Sequence, residues 1–405
     1  MSPRWQALLA LTLARAAMGF QYQSVAAVAP LMAEGLGLDK ARLGWLIGLY
    51  LLPGVAFALP GGLLGRRFGD KRLVLVALVL MAAGGLWLAR AGSYAEANLA
   101  RFTAGIGAVM LNVLMTKMVT DLFEGRERLL ALSVLINSWP IGIGLALLVI
   151  GPLGAVAGWR WGLFSSALFA AIGFVLVAAV CRPAPAAPPA EGAASGLGLG
   201  VLTRVEWRLL AVGSLPWLLY NAAFQIVMSF LPSFLVGGGR SIGQAGSLVA
   251  LNTVLLVVGV QAGGLLLKRA AHPDRLCHLS MVAWCASLLC IAAGSAPLPW
   301  LVVGGLLGGL PAAALVSVPG EFLRPESRNA GMGVFFTIYY FGCAVLPTLA
   351  GALYDAAGGA AALWMAAALA LGATLMLAGF RGAMAASRRS TAAGRNELKT
   401  ERPLP

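Results

Sequence analysis

Charge is what this sequence has little of. Asp, Glu, Lys and Arg make up 11% of its 405 residues, where a soluble domain carries about 25%. That shortage excludes an ordinary water-soluble domain of this length, most of whose surface must be wetted. Histidine is scarcer still, with only His272 and His278, and no zinc-protease HExxH, nucleophile-elbow GxSxG or phosphate-binding P-loop pattern occurs. The chain therefore reads as no enzyme, and without a P-loop it does not drive work by ATP alone. The five cysteines, Cys181, Cys277, Cys285, Cys290 and Cys343, form no CxxC pair, which argues against a disulfide framework or a zinc site. No cofactor or metal is called for.

In place of charge there are apolar runs along the whole chain, 60% of the residues being hydrophobic. A helix that crosses a bilayer needs about 20 mostly apolar residues, since no water inside the hydrocarbon satisfies its backbone. Spans fall at roughly 7–30, 43–64, 73–89, 97–119, 129–151 and 160–180, then at roughly 208–234, 245–267, 276–294, 299–319, 330–352 and 360–380. The expected fold is an all-α membrane protein of about twelve transmembrane helices. Its +14 net charge invites a nucleic-acid reading, but the basic residues are sorted by side. Arg4, Arg66, Arg67, Lys71, Arg72, Arg126, Arg128, Arg324 and a tail from Arg381 to Arg402 fall on one side; Lys40, Arg42, Arg90, Arg160 and Arg240 fall on the other. Such sorting is the positive-inside bias, and it puts both termini in the cytoplasm of a cell membrane, a bacterial one being expected, with no nucleic-acid partner. The apolar start resembles a signal peptide, but Arg15 interrupts it and the run continues to Pro30, so it reads as a retained span.

Residues 181–205 are rich in Pro, Ala and Gly and read as a cytoplasmic linker between bundles at 1–180 and 206–382, with a basic tail at 383–405. The halves repeat. Gln23, Pro30 and Gly44 match Gln225, Pro232 and Gly246; after a two-residue shortening, Gly142, Gly151 and Gly158 match Gly342, Gly351 and Gly358. The repeat points to two similar six-helix halves.

These residues resemble the major facilitator superfamily over essentially the whole chain. The superfamily's loop pattern G-x-x-x-D-R-x-G-R-R is met here by Gly62, Arg67, Gly69 and Arg72. Its Asp position is Arg66 and its first late Arg is Asp70, so the usual acidic partner is displaced. Arg101-x-x-x-Gly105-x-Gly107 resembles the fourth span and Gly158-Trp159-Arg160-Trp161 the turn into the sixth. Gly19-Phe20-Gln21-Tyr22-Gln23-Ser24 through Pro30-Leu31 resembles a cyanate- and nitroimidazole-permease-like branch. The resemblance implies that the halves pack as two pseudo-symmetric six-helix bundles with a cavity between them, in a monomeric secondary or facilitative transporter working by alternating access. It also implies a conformational switch in the loop holding Gly62, Arg67, Gly69, Asp70 and Arg72. In that switch Asp70 supplies the anion, to Arg67 or to a helix N-terminus.

For a substrate site, Arg15 stands out because charge deep in a span faces protein or a water-filled cavity. It shares a helix face with Gly19, Tyr22 and Ala26, with Gln23 at the edge. The repeat sets Asn221, Phe224 and Gln225 at the positions of Gly19, Tyr22 and Gln23, and Arg101 and Asn112 lie at matching phase on the fourth span. No Asp or Glu lies mid-span. A guanidinium suits carboxylate oxygens, so the expectation is a small anion, organic or inorganic, bound by Arg15, Tyr22, Gln23, Arg101, Asn112, Asn221 and Gln225. Two other readings stand beside it. Trp139, Tyr339 and Tyr340 suit export of hydrophobic drugs, and a carrier fold also serves as a transport-inactive sensor or scaffold.

Overall fold

A computed structural model describes residues 2–57, 68–181 and 199–400. The described residues form helices and connecting turns, with no strand among them. In the first half these are α1 (Pro3–Ala27), α2 (Ala29–Leu36), α3 (Lys40–Leu49), α4 (Pro53–Phe57), α5 (Asp70–Arg90), α6 (Tyr94–Leu122), α7 (Gly125–Ala157) and α8 (Trp159–Val180). The second half has α9 (Arg204–Gly213), α10 (Leu215–Gly237), α11 (Ile242–Arg269), α12 (Pro273–Ala292), α13 (Pro297–Gly309), α14 (Ala312–Ser317), α15 (Arg328–Ala357) and α16 (Gly359–Thr400).

Local chemistry sets many of these boundaries. Asp39, Ser93, Thr203 and Ser241 cap helix starts through side-chain oxygens, the last two as capping boxes with Glu206 and Gln244. Gly158 and Gly358 hold φ of 92° and 85° where each half turns into its last helix, a conformation that costs a glycine little. The second span is broken where a continuous helix over 43–64 was expected. Pro53 has no N–H to continue α3, so the chain turns at residues 50–52 and resumes as α4. Likewise α13 stops before Pro311, and the seventh span divides at Ser214 ahead of Pro216.

Ten of the described helical stretches are long and apolar enough to cross a membrane. Helix α1 is 25 residues long but is not among them, because Arg15, Gln21, Gln23 and Ser24 dilute its hydropathy. It is nonetheless encased: Leu11, Ala14, Ala17, Tyr22 and Val25 are fully buried. Side chains facing outward are apolar, as a lipid-facing surface requires, with Val156 90%, Leu279 68% and Val175 62% exposed.

Within the first bundle α1 packs on α7 and α8, and α5 packs on α6 and α8; within the second, α10 and α12 pack on α16, and α11 on α13. The bundles meet through α3 against α15, α7 against α11 and α1 against α10. Gly44 and Gly48 of α3 lie on the carbonyls of Pro347 and Ala344, and Gly246 of α11 lies on that of Leu147. These junctions gather toward the end of the molecule where α1 finishes and α3 begins.

Gly142 shows why small residues recur in these spans. A Cβ there would run into the carbonyl of Ala16 on α1, whereas two residues on, at Gly144, the nearest atoms are 4.0 Å away. Gly142→Ala is expected to cost about 1–3 kcal/mol of packing and to lower the melting temperature in detergent by several degrees, while Gly144→Ala leaves it unchanged. Equal melting of the two variants would refute this close-approach reading.

Candidate functional site

Arg15 sits midway along α1, half-buried. Its Nε donates to Asn112 Oδ1 on α6 at 3.1 Å, and its Nη1 donates to the carbonyls of Leu135 and Ile136 on α7, each at 2.8 Å. Its Nη2 has no partner among the described residues, and no described carboxylate pairs with it. Asn112 turns its amide nitrogen to the Tyr340 hydroxyl on α15 at 3.3 Å, which carries the network into the second bundle. Tyr340 packs on Tyr339 with centroids 4.9 Å apart, and Tyr339 on Trp217 of α10 at 6.1 Å. By the repeat, Trp217 occupies the position of Arg15. Arg15, Asn112, Trp139, Trp217, Asn221 and Tyr339 all keep partial exposure mid-span. A cation and an aromatic wall therefore share the surface between the bundles.

About two turns further along α1 the side chains are sealed in. Tyr22 is fully buried and donates its hydroxyl to Gln225 Oε1 at 2.8 Å; its ring packs on Trp139 at 5.1 Å. Gln23, 1% exposed, donates Nε2 to the carbonyl of Met228 at 2.7 Å. That oxygen would serve the N–H of residue 232 in a regular helix, but residue 232 is proline and has none. Beyond this layer, Asp355 at the end of α15 accepts from the backbone N–H groups of Lys40 and Ala41 at 3.1 and 3.0 Å. It thus caps the positive end of α3 from the opposite bundle.

The residues expected to hold one ligand together divide into three settings. Arg15 and Asn112 are joined on the open layer. Asn221 also keeps exposure, but its amide nitrogen bonds its own helix at Trp217 O, 2.8 Å away. Tyr22, Gln23 and Gln225 form the sealed layer and bond across the bundles. Arg101 is apart from both. It is 0% exposed; Nε, Nη1 and Nη2 donate to the carbonyls of Leu46, Gln21 and Tyr22 at 3.0, 2.7 and 2.5 Å; and its guanidinium lies 4.4 Å from the Tyr50 ring centroid. Here it acts as a strut tying α6 to α1 and α3, with no nitrogen left to offer.

In the loop after the second span, Gly62, Arg66 and Arg67 lie outside the described residues. Gly69 adopts φ of 86°, and Asp70 opens α5, so its carboxylate meets a helix N-terminus. Its described charged partner is Lys117, far along α6, which also approaches Asp121 at 3.7 Å. Arg72 is exposed.

The match that decides the family covers residues 11–276, which fit the model of the Major Facilitator Superfamily. The chain belongs to the Major Facilitator Superfamily. Curated relatives include the 3-(3-hydroxy-phenyl)propionate transporter of Escherichia coli, 27% identical over 347 residues, covering 82% of this chain and 83% of that one. Two solved members share the fold. The nucleoside transporter NupG has a TM-score of 0.77 at 16% identity over 94% of this chain and 100% of its own. The E. coli xylose transporter XylE, in an inward-open conformation, has 0.75 at 14% over 93% and 96%. The superfamily consists of transporters, so the chain is a multi-pass membrane protein that transports a small solute and is not an enzyme.

Sequence reading missed Asp355, Trp217 and Gln21, whose amide bonds Met81 O at 2.8 Å and accepts from Tyr50. Trp217 was findable as the repeat partner of Arg15. Asp355 was not, because its partners are backbone groups of another helix. The Asp355 cap predicts a measurable seal. Ala26→Cys, at a position 1% exposed, should label slowly with an impermeant maleimide. Adding Asp355→Ala should speed labelling several-fold as the bundles part at that end. Identical labelling rates would show that the cap closes nothing.

Proposed function

We propose that this transporter carries a small organic anion by alternating access, and that Arg15 binds its carboxylate. The observation behind this reading is a half-buried cation with no acidic partner among the described residues. Arg15 lies mid-span, commits two guanidinium nitrogens to protein oxygens and keeps Nη2 unpaired among the described residues. An uncompensated charge at such depth is costly, and a carboxylate entering from solution both compensates it and gains charge-assisted hydrogen bonds. The neighbouring rings of Trp139, Trp217, Tyr339 and Tyr340 suit an aromatic body on that anion. The E. coli relative named for 3-(3-hydroxy-phenyl)propionate fits the same chemistry.

In this account the basic termini lie in the cytoplasm, and the Asp355–α3 junction closes the outer end, so the structure is an inward-facing state. When the bundles rock to open outward, the Tyr22 hydroxyl and the amides of Gln23 and Gln225 lose one another and become available to the ligand. The loop bearing Gly62, Arg67, Gly69, Asp70 and Arg72 serves as the switch. In this state Lys117 holds Asp70 inside its own bundle, leaving it to make contacts across the bundles in the other. Export of hydrophobic drugs is the second reading, supported by the same aromatic wall and by a partial relative named as the efflux pump terG.

A thermal-shift screen of organic anions and neutral drugs on purified wild type and Arg15→Gln, followed by uptake into proteoliposomes, separates the two. The anion reading expects stabilisation by aromatic carboxylates and a loss of about ten-fold or more in affinity in Arg15→Gln. Neutral or cationic hits that Arg15→Gln transports normally would replace it with drug efflux.

A further inference from the structure

Arg15 bonds two carbonyls on α7 with a single nitrogen, and those two oxygens are not equivalent. Leu135 O already receives the Ser138 hydroxyl at 2.5 Å. Ile136 O should receive the N–H of residue 140, four positions on. Residue 140 is Pro140, inside the helix, and proline has no N–H. An oxygen left this way takes its donor from outside its own helix, and Arg15 Nη1 supplies it at 2.8 Å.

We propose that Pro140 is a positioning residue of the anion site. By withholding its N–H it creates the acceptor that fixes one edge of the Arg15 guanidinium, and Asn112 fixes a second through Nε. A planar group held at two of its three nitrogens has its third aimed. Nη2 is thereby presented to the carboxylate without waiting for a flexible four-bond side chain to find its orientation, and less rotamer freedom is lost when the ligand arrives. The proposal rests on the reading of Arg15 as the substrate cation and adds the residue that holds it. The same device recurs at the sealed layer, where Pro232 frees Met228 O and Gln23 of the same helix α1 fills it. A proline that only bends α7 would have no reason to answer to Arg15.

The test is a double-mutant cycle on the purified full-length chain without ligand: wild type, Arg15→Gln, Pro140→Ala and the pair, followed by melting temperature. Pro140→Ala returns an N–H to Ile136 O. Arg15→Gln is therefore expected to lower the melting temperature by several degrees in the wild-type background and by less than half as much beside Pro140→Ala. Pro140→Leu, which restores the same N–H with a larger side chain, must show the same coupling, so a poorly folding alanine variant does not leave the matter open. Additive shifts with both substitutions overturn the proposal. In a second arm, 3-(3-hydroxyphenyl)propionate binding is measured on Pro140→Ala with Arg15 intact, and a weakening of about ten-fold is expected. Coupled melting with unchanged affinity overturns the link to the site. Coupled melting with no binding of this probe, or of other aromatic carboxylates, by wild type leaves Pro140 as the holder of Arg15 and removes the anion reading instead.

Discussion

Inside a bilayer every carbonyl without a helical partner, and every charge, must be answered by another protein group. Helix α1 does much of that answering. Arg15 reaches Leu135 and Ile136, Gln21 reaches Met81, Gln23 reaches Met228, and the carbonyls of Gln21 and Tyr22 accept from Arg101. The polarity that keeps α1 off the roster of apolar spans is the same polarity that makes it the hub of both bundles. A hydrogen bond to a charged group contributes about 1.5–3 kcal/mol, so the three bonds of Arg101 hold α1, α3 and α6 together firmly. Arg15 differs in one respect: its partners among the described residues leave Nη2 free.

The interface between the bundles is of another kind. It is built from close glycine contacts, three side-chain bonds at Tyr22, Gln23 and Asn112, and one carboxylate on a helix end. Neutral hydrogen bonds contribute about 0.5–1.5 kcal/mol each and an exposed carboxylate at a helix N-terminus about 0.3–1 kcal/mol, so the polar part of the seal amounts to a few kcal/mol. That lies within the range a ligand spans by binding one state better than the other. The bundles are thus rigid within and weakly joined between, the condition for two arrangements of the same parts. Each half also has an internal tie at the opposite end, with the sign exchanged on its first helix. Arg4 pairs with Glu127 at 2.9 Å in the first half, while Glu206, at the position of Arg4, pairs with Arg324 at 3.2 Å in the second.

Spans, repeats and the exceptional status of Arg15 were legible because each is a local or periodic property. Arg15 is a charge inside an apolar run, and Tyr22 and Gln23 follow it at helical phase. The fate of Arg101 was not legible. A cation in a span looks alike whether it meets a ligand or three carbonyls, and the carbonyls that claim it belong to Leu46, Gln21 and Tyr22, far off in sequence. Asp70 was expected beside Arg67 or a helix start; the helix start is its own, but Lys117 is set by how α5 packs on α6. The breaks at Pro53 and Pro311 were readable from proline alone, yet the apolar runs pass across them and hide them. The prolines at 140 and 232 were equally visible, and what hid their consequence was the identity of the donor on α1.

The central claim is that the site is built around an unpaired cation, so its affinity must depend on the ligand's charge. Calorimetric titration of wild type with 3-(3-hydroxyphenyl)propionate and with its neutral amide, identical in shape and ring, measures that directly. The account predicts binding of the carboxylate about 100-fold tighter than the amide, the scale of a charge-assisted pair out of water. Equal affinity for the two, or tighter binding of the amide, would contradict it.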